Sequence, residues 1–316
     1  MMKWKIRQRP FPELSYASPS QHAIQRWFIR TVEGLSGRDR FAALYDHWRT
    51  DIVPSGDRVF ARMLDLIDVS VRTPDQWPPR DLPDRPLVIL ANHPFGIGDG
   101  IAILSLAEQL DRPFRVMLAS DLLKVPEIGA YSLAVDFSET KEAVKNNLAM
   151  RNEALRLLKQ GVTIVVFPAG GVATAPNVFG RAEDLPWKIF AARLIQEARA
   201  AVLPVHFSGQ NGRLFHLVSR AMNLTERDNR LAKIIGKLSL TLRLSLLIRE
   251  FTRLSGKSIE TRIGRLLDWD ELAPLRDRKA LLQRLHRGVF ELSPERRTAR
   301  PRDHVEHCDL RGGTVA

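Results

Sequence analysis

One stretch of the sequence decides the fold: Pro86-Leu87-Val88-Ile89-Leu90-Ala91-Asn92-His93-Pro94-Phe95-Gly96-Ile97-Gly98-Asp99. Its first six residues form an uninterrupted apolar run, which is typical of a strand buried on both faces of a parallel sheet. The proline and glycines that follow predict a tight turn, and residues 101–110 have the pattern of a helix. A buried strand, a turn and a helix in this order are the repeating unit of α/β proteins.

The same unit recurs on the C-terminal side of this stretch. Short apolar runs predict strands at residues 114–119, 134–135, 162–167 and 201–207, and helical patterns occur at residues 141–160 and 186–200. The alternation predicts an α/β domain with a mostly parallel sheet flanked by helices. Residues 231–254 have leucines at alternate positions and also leucines three and four apart, so a strand and a helix both remain open.

The N-terminal side of the chain has the pattern of a helical segment. Residues 1–20 contain three prolines and predict an irregular arm, and helical patterns follow from residue 21. Residues 72–86 are rich in proline and aspartate, which marks a connection. The sequence therefore predicts an N-terminal arm and helical segment at 1–75, an α/β domain at 85–292 and a flexible tail at 293–316.

The composition indicates a folded and strongly basic protein. Of 316 residues, 44% are apolar and 27% are charged, which suffices for a packed core. The formal net charge is +12, and residues 213–265 contain twelve Lys and Arg against four Asp and Glu. Such basicity favours polyanionic partners: nucleic acid, anionic lipid or an acidic carrier protein. The single cysteine excludes a disulfide within the chain and fits a reducing compartment.

The sequence predicts a soluble protein or one bound to a membrane surface. Residues 1–20 lack the apolar core of a signal peptide. No window holds the roughly 18 uninterrupted apolar residues that a spanning helix needs. We therefore expect no transmembrane helix.

Two residues of the opening stretch, His93 and Asp99, are suited to acid–base chemistry. They follow a predicted strand, and ligands of open α/β sheets bind at the carboxyl ends of strands. Imidazole can take a proton from an attacking hydroxyl or amine, and a nearby carboxylate holds its tautomer and stabilises the imidazolium. Gly96 and Gly98 let the chain fold back, so we expect the two side chains within about 3 Å. The alternative is an ordinary turn in which Asp99 only caps the helix.

Two further segments follow predicted strands at the same edge. The segment Phe167-Pro168-Ala169-Gly170-Gly171 contains a Gly-Gly turn, whose backbone N–H groups could hold an oxyanion or a phosphate oxygen. Residues 203–211 contain His206, which could be a second polar group of the cleft. For each segment taken alone we favour the simpler interpretation, an ordinary turn and a structural histidine.

Together these segments resemble the glycerolipid acyltransferase family, whose members acylate glycerol 3-phosphate and lysophosphatidate. The family's first block has Asn-His, four residues and Asp, whereas here Asn92 and His93 match and five residues precede Asp99. The form His-Pro-Phe-Gly-x-x-Asp-Gly is similar to a bacterial subgroup often labelled haemolysin-like. The resemblance covers residues 85–215 and implies that His93 is the general base and Asp99 its orienter.

The other blocks of the family occur in the expected order, with two departures. The third block, Phe-Pro-Glu-Gly, has Ala169 in place of the glutamate. In the second block Val135-Asp136 matches, but Phe137 stands where the family has an arginine that binds the acceptor's phosphate. The fourth block, an apolar strand with proline, corresponds to residues 202–205. The missing charges imply an acceptor other than a simple glycerol phosphate.

The resemblance also implies a reaction and its partners. A fatty acyl group passes from acyl carrier protein or acyl-CoA to a lysophospholipid-like or glycerolipid acceptor, without a metal or another cofactor. The implied location is the cytoplasmic face of the inner membrane, where the protein is peripheral on an anionic surface. The residues implied to bind substrate are Asn92, Phe95, Gly96, Gly98, Phe167, Pro168, Gly170, Gly171 and Pro204.

The basic, leucine-rich segment 213–265 has two interpretations. It forms an amphipathic surface that meets anionic lipid or an acidic acyl carrier protein, or it forms a solvated basic helix whose leucines pack into the core. We favour membrane contact, because the enzyme must reach a lipid substrate.

There are three alternatives to this function. N-acylation of an amino acid or aminolipid, as in ornithine-lipid synthesis, would differ in the acceptor. A non-catalytic protein that binds nucleic acid is disfavoured, because the sequence holds no helix-turn-helix, RNP or zinc signature. A serine hydrolase is disfavoured, because no Gly-x-Ser-x-Gly elbow occurs.

Overall fold

The computed structural model describes residues 11–294, apart from residues 16, 18–22, 36, 81, 83, 121, 122, 124, 139, 178, 179, 224–242, 244 and 245. Its strands are β1 (Val69–Arg72), β2 (Leu87–Ala91), β3 (Phe114–Ala119), β4 (Ser132–Val135), β5 (Thr163–Val166), β6 (Ala201–Ser208) and β7 (Lys257–Ile263). They form one sheet in the order β1-β7-β6-β2-β5-β3-β4.

The sheet is parallel except at one junction. The five strands from β6 to β4 pair in parallel, with Val88 of β2 opposite Ile164 of β5 and Val202 of β6. Strand β7 runs antiparallel to β6 and parallel to β1. The carboxyl ends of the five parallel strands therefore meet at one edge, and the chain leaves β2 there directly before Asn92 and His93.

Helices cover both faces of the sheet. They are α1 (Ala23–Leu35), α2 (Arg38–His47), α3 (Val59–Leu66), α4 (Ile97–Ala107), α5 (Pro126–Gly129), α6 (Lys141–Lys159), α7 (Phe190–Ala198), α8 (Arg213–Asn223), α9 (residues 246–252), α10 (Trp269–Leu272) and α11 (Arg278–Phe290). Side-chain caps begin several of them. The Thr140 hydroxyl accepts the Ala143 N–H of α6, and the Asp277 carboxylate accepts the Ala280 N–H of α11.

The core has one layer on each face of the sheet. Alternate residues of β2 enter different layers: Ile89 packs with α2, α3 and α4, whereas Leu90 packs with α6, α7 and α11. Every residue of β2 is buried, because both of its faces are covered by helices. This explains why its sequence is apolar without alternation.

The predicted fold class is confirmed: the sheet is mostly parallel, helices flank it, and helices precede it at the N-terminal side. The apolar stretch from Val59 to Val71 divides into α3 and β1, with Asp68 between them in the left-handed conformation at φ 55°. Of the ambiguous residues 231–254, those from 246 to 252 are helical, and residues 231–242 lie outside the described part. The predicted tail beyond residue 294 also lies outside it.

Two strands of the sheet, β1 and β7, were not expected. Together they place the predicted N-terminal segment in the same sheet and core as the rest of the chain, since β1 precedes residue 75 and pairs with β7. The proposed division into domains stays a prediction. Among the described helices, none is both long enough and apolar enough to cross a membrane.

Candidate active site

The position of His93 is set by a side-chain bridge at the end of β2. The amide of Asn92 donates to the Phe207 carbonyl at 2.8 Å and accepts the Phe207 N–H at 2.7 Å. The side chain thereby extends the pairing of β2 with β6 by one buried link. In this structure Asn92 orients the backbone that carries His93, and its predicted contact with substrate stays a prediction.

The turn after β2 brings His93 and Asp99 together. Gly96 has φ 81°, a conformation that favours glycine, and the chain then enters α4 at Ile97. Asp99 is fully buried in the first turn of α4, where one oxygen accepts the Phe95 N–H at 2.8 Å. Its other oxygen, Oδ1, lies 2.9 Å from Nδ1 of His93. The expected approach of the two side chains is confirmed, despite the extra residue between them.

The contact between His93 and Asp99 is short but poorly aligned for a hydrogen bond, since neither Nδ1 nor Oδ1 has a partner of good geometry. Catalytic hydrogen bonds often tighten only when substrate binds. Asp99 therefore does not act as the side-chain cap of α4, because one of its oxygens accepts the Phe95 N–H of the turn and the other faces the imidazole.

A second carboxylate, Asp184, binds the backbone of His93. Its Oδ1 accepts the backbone N–H of His93 at 3.2 Å, and its Oδ2 accepts the indole N–H of Trp187 at 3.0 Å. Burial raises the pKa of Asp184, and these hydrogen bonds oppose the rise. No pattern in the sequence indicates this residue, which lies 91 positions from its partner.

The electrostatic balance favours a protonated imidazole more than water would. Burial alone would lower the pKa of His93, but the negative charges of Asp99 and Asp184 outweigh it and the pKa is raised. The positive charge of Arg243 opposes this rise. A histidine that holds protons more firmly and can still release them suits a group that takes a proton in one step and returns it in the next.

The turn after β5 lies against this pair. The rings of His93 and Phe167 are 4.1 Å apart between centroids, and the Ala173 N–H donates to the His93 carbonyl at 2.8 Å. Gly170 has φ 68° and donates its N–H to the Phe167 carbonyl at 3.0 Å. The N–H of Gly171 has no hydrogen-bond partner in the described part of the chain and stays available to a ligand.

Apolar side chains rim this second turn. A Cβ on Gly170 would lie 3.2 Å from the ring of Phe137, and a Cβ on Gly171 would lie 3.1 Å from Leu185. Phe137 is 54% exposed and Leu185 is 36% exposed. The residue that departs from the second family block thus lies beside the third block, at the protein surface.

The remaining predicted residues have packing roles in this structure. Phe95 is buried and fills the space where a Cβ on Gly209 would stand. Gly98 lies against Leu254, and Pro168 accepts the Lys188 N–H at 2.8 Å. Pro204 packs on Gly264, away from the contacts of His93. Their substrate contacts stay predictions.

His206 is buried in β6 and packs edge-on against Phe290 at 5.8 Å between ring centroids. Burial lowers its pKa to about 4. An imidazole that stays neutral inside the core fits the structural interpretation of this residue.

A cavity of about 190 Å³ adjoins Asp184. Its walls come from the segment after the second turn, from the segment before α7 and from α8: Thr174, Ala175, Pro176, Glu183, Asp184, Leu185, Pro186 and Arg220. Within the described residues, no group of three or more His, Cys, Asp or Glu side chains is arranged to hold a metal ion.

Arg243 is a further residue of the site that sequence reasoning missed. Its guanidinium donates from Nη2 to the Val172 carbonyl at 2.9 Å, next to the Ala173 N–H that binds His93. Its pKa is lowered by burial. The sequence marked the region around it as basic but could not single out one cation.

Parts of the chain are similar to known proteins. Residues 68–208 match the family model described as Acyltransferase. A curated relative, the lyso-glycine lipid O-acyltransferase of Bacteroides thetaiotaomicron, is 30% identical over 129 residues, which are 40% of this chain and 44% of the relative. The chain thus spans less than half the length of that relative.

Among solved structures, the chain is similar to the 1-acyl-sn-glycerophosphate (LPA) acyltransferase PlsC from Thermotoga maritima, with 18% identity and a TM-score of 0.42 over 87% of this chain and 90% of that one. The family match contains both turns of the site, residues 92–99 and 167–173. The resemblance stated from the sequence is confirmed for residues 68–208, which match the acyltransferase family model.

Proposed function

We propose that the chain transfers a fatty acyl group from an acyl thioester to a hydroxyl of a lipid acceptor, with His93 as general base and Asp99 as its orienter. One observation carries the proposal: a buried carboxylate faces His93 Nδ1 at 2.9 Å, inside a segment that matches the acyltransferase family. Because Asp99 engages Nδ1, Nε2 is the nitrogen left to act on the acceptor.

The reaction follows from these groups. Nε2 of His93 takes the acceptor's hydroxyl proton while the oxygen attacks the thioester carbonyl carbon. The carbonyl oxygen becomes an oxyanion, and the free N–H of Gly171 is available to stabilise it. The carbon–sulfur bond then breaks, and the imidazolium returns the proton to the departing thiolate. Asp99 and Asp184 stabilise the imidazolium while it exists.

The acceptor is proposed to carry its own acyl chain. Phe137 and Ala169 replace a cation and an anion of the family pattern, and the aromatic ring borders the second turn. An apolar rim favours a lipid over a small phosphate ester, so glycerol 3-phosphate should be a poor acceptor. The relative's name specifies O-acylation of a lyso-glycine lipid, which favours a hydroxyl acceptor over the amine of an N-acyltransferase.

The donor is proposed to be acyl carrier protein or acyl-CoA, and the enzyme is proposed to work at an anionic membrane surface. Phe137, Val144 and Leu148 are 54%, 70% and 52% exposed. Val144 and Leu148 lie one turn apart on the same face of α6, the helix that follows Phe137 in the chain. Together with the net charge of +12, these side chains support peripheral binding to anionic lipid.

The test is to incubate the purified protein with labelled acyl-CoA or acyl carrier protein and a panel of acceptors: lyso-lipids, glycerol 3-phosphate and ornithine. We expect a labelled diacyl product from a hydroxyl-bearing lyso-lipid, with the His93→Ala protein as the background control. Product from ornithine alone would assign N-acylation instead. No transfer to any acceptor, together with a gel shift of nucleic acid, would reject the enzyme function.

A further inference from the structure

Arg243 contacts the second turn of the site, and the described part of the chain places no counter-ion beside it. Its described hydrogen bond goes to a neutral acceptor, the Val172 carbonyl, at 2.9 Å, and its guanidinium lies 5.2 Å from the centroid of the Phe215 ring. In the described part of the chain, no carboxylate lies within ion-pair distance of it. A half-buried cation that faces a carbonyl and a ring retains donors for a negatively charged ligand.

The surroundings of Arg243 connect it to the first turn. Leu247 lies four residues further along the chain, and a Cβ placed on Gly96 would lie 3.0 Å from both Leu247 and Val172. The backbone of Val172 continues to Ala173, which donates to the His93 carbonyl. Arg243 is close enough to His93 that its charge disfavours protonation of the imidazole. The cation therefore belongs to the same site as the proposed base.

Arg243 also supplies a positive charge to a site at which the family pattern has lost one. The second block carries Phe137 in place of the arginine, whereas Arg243 lies far along the chain and donates to the Val172 carbonyl in the loop after β5. An arginine offers a planar pair of donors that fits the oxygens of a carboxylate or a phosphate. One anion-binding group would thus be replaced by another from a different part of the chain.

We propose that Arg243 binds the anionic head group, a carboxylate or a phosphate, of the acyl acceptor; this rests on the proposed function. The acceptor is favoured over the donor by position. The acceptor's hydroxyl must meet His93, and its head group is a few bonds away from that hydroxyl. The phosphates of acyl-CoA or acyl carrier protein lie at the far end of a long pantetheine arm from the thioester.

The experiment compares Arg243→Gln and Arg243→Lys with wild type on matched acceptors: lyso-lipids with a carboxylate or a phosphate, and the same lipids as neutral methyl esters. Arg156→Gln, an exposed arginine of α6 paired with Glu153, is the control variant. Loss of a charged hydrogen bond should raise the KM for anionic acceptors about 10- to 100-fold for Arg243→Gln. Arg243→Lys should recover part of this loss, while the KM for the thioester and for neutral acceptors stays unchanged.

Equilibrium binding of the same lipids, measured without a donor, keeps the inference testable if no transfer occurs. Wild type should bind the anionic lipid about 10-fold or more tightly than Arg243→Gln does, and both should bind the ester equally. Equal losses on anionic and neutral lipids, an increased KM for the thioester alone, or unchanged binding in Arg243→Gln would each overturn the assignment. Absence of transfer by wild type with selective binding intact would instead reject the proposed reaction.

Discussion

The turn after β2 and the turn after β5 lie side by side at one edge of the sheet, but they are held differently. The first turn is fastened by buried neighbours: Asn92 binds the adjacent strand and Asp99 binds the turn itself. The second turn is held from outside, by Lys188 from the segment before α7 and by Arg243, and its Gly170 is exposed. The comparison indicates different roles for the two turns. The rigid first turn suits proton transfer, and the open second turn suits recognition of the substrate.

The largest expected effect is on the rate of acyl transfer, which we expect to depend on the first turn. We expect His93→Ala to lower the rate of acyl transfer about 10²- to 10⁴-fold, the usual contribution of a positioned base. The melting temperature should change little, because no large apolar surface is removed. Rate and melting temperature are measured together.

The matched control for this variant is His206→Ala. His206 lies within β6 and is buried against Phe290, so its loss should lower stability and leave the rate near that of wild type. A folded and active His93→Ala protein would reject the base assignment.

The next effect sharpens the role of the carboxylates in the first turn. The base acts as neutral imidazole, so the rate should rise with pH through the pKa of His93, which is raised above 6.5. Asp99→Asn removes the main cause of the rise, so the ascending limb of the kcat/KM profile should move to lower pH, and the maximal rate should fall by as much as in His93→Ala or less. Asp184→Asn should move the limb in the same direction by a smaller amount. A limb that stays in place in both variants would contradict the assignment.

A smaller effect concerns the stability of the two turns. A Cβ on Gly98 would lie 2.5 Å from a methyl of the buried Leu254, so Gly98→Ala should lower the free energy of unfolding by about 1–3 kcal/mol through overpacking. Gly170→Ala forces an alanine into the left-handed conformation at φ 68°, which costs about 1–2 kcal/mol. Urea denaturation measures both values. If Gly170→Ala loses clearly more free energy of unfolding than Gly98→Ala, the first turn is not the more rigid of the two.

The smallest effect tests the exposed side of the second turn. Phe137→Ser combined with Leu148→Ser should reduce the fraction of protein that sediments with anionic vesicles, since both side chains are more than half exposed. Binding of wild type should also fall at high salt, because exposed charges are screened. Trp27→Ser, an exposed residue of α1 outside the basic segment 213–265, is the control. Equal binding of wild type to neutral and anionic vesicles would remove the electrostatic part of the proposal.

The sequence could predict what depends on neighbouring residues. The strands β2, β3, β5 and β6 are continuous apolar runs because helices cover both faces of the sheet, and such runs are visible without tertiary information. The contact of His93 with Asp99 spans six positions, and the glycines between them indicate the turn that makes it. The fold class and the contact between His93 and Asp99 could therefore be predicted from the sequence.

What the sequence could not give depends on distant parts of the chain. Strand β7 carries three charged residues, and its burial alternates, so its pattern is weaker than that of the central strands. Asp184 and Arg243 reach the site from 91 and 71 positions away from the residues they bind. Only the fold brings them there, and nothing in the local sequence distinguishes them from other surface charges.

The pairing of β1 with β7 also constrains the order in which the protein can be built. Val69 pairs with Lys257, and the Ile263 N–H donates to the Asp75 carboxylate across a separation of 188 residues. During synthesis β1 can pair with β7 only after most of the chain has been made, whereas β2, β5 and β6 can pair earlier. Contacts of such long range form slowly and leave strand edges exposed in the meantime. The sheet is therefore completed late in folding. A chaperone that shields the unpaired edge of β1 would increase the yield of folded protein.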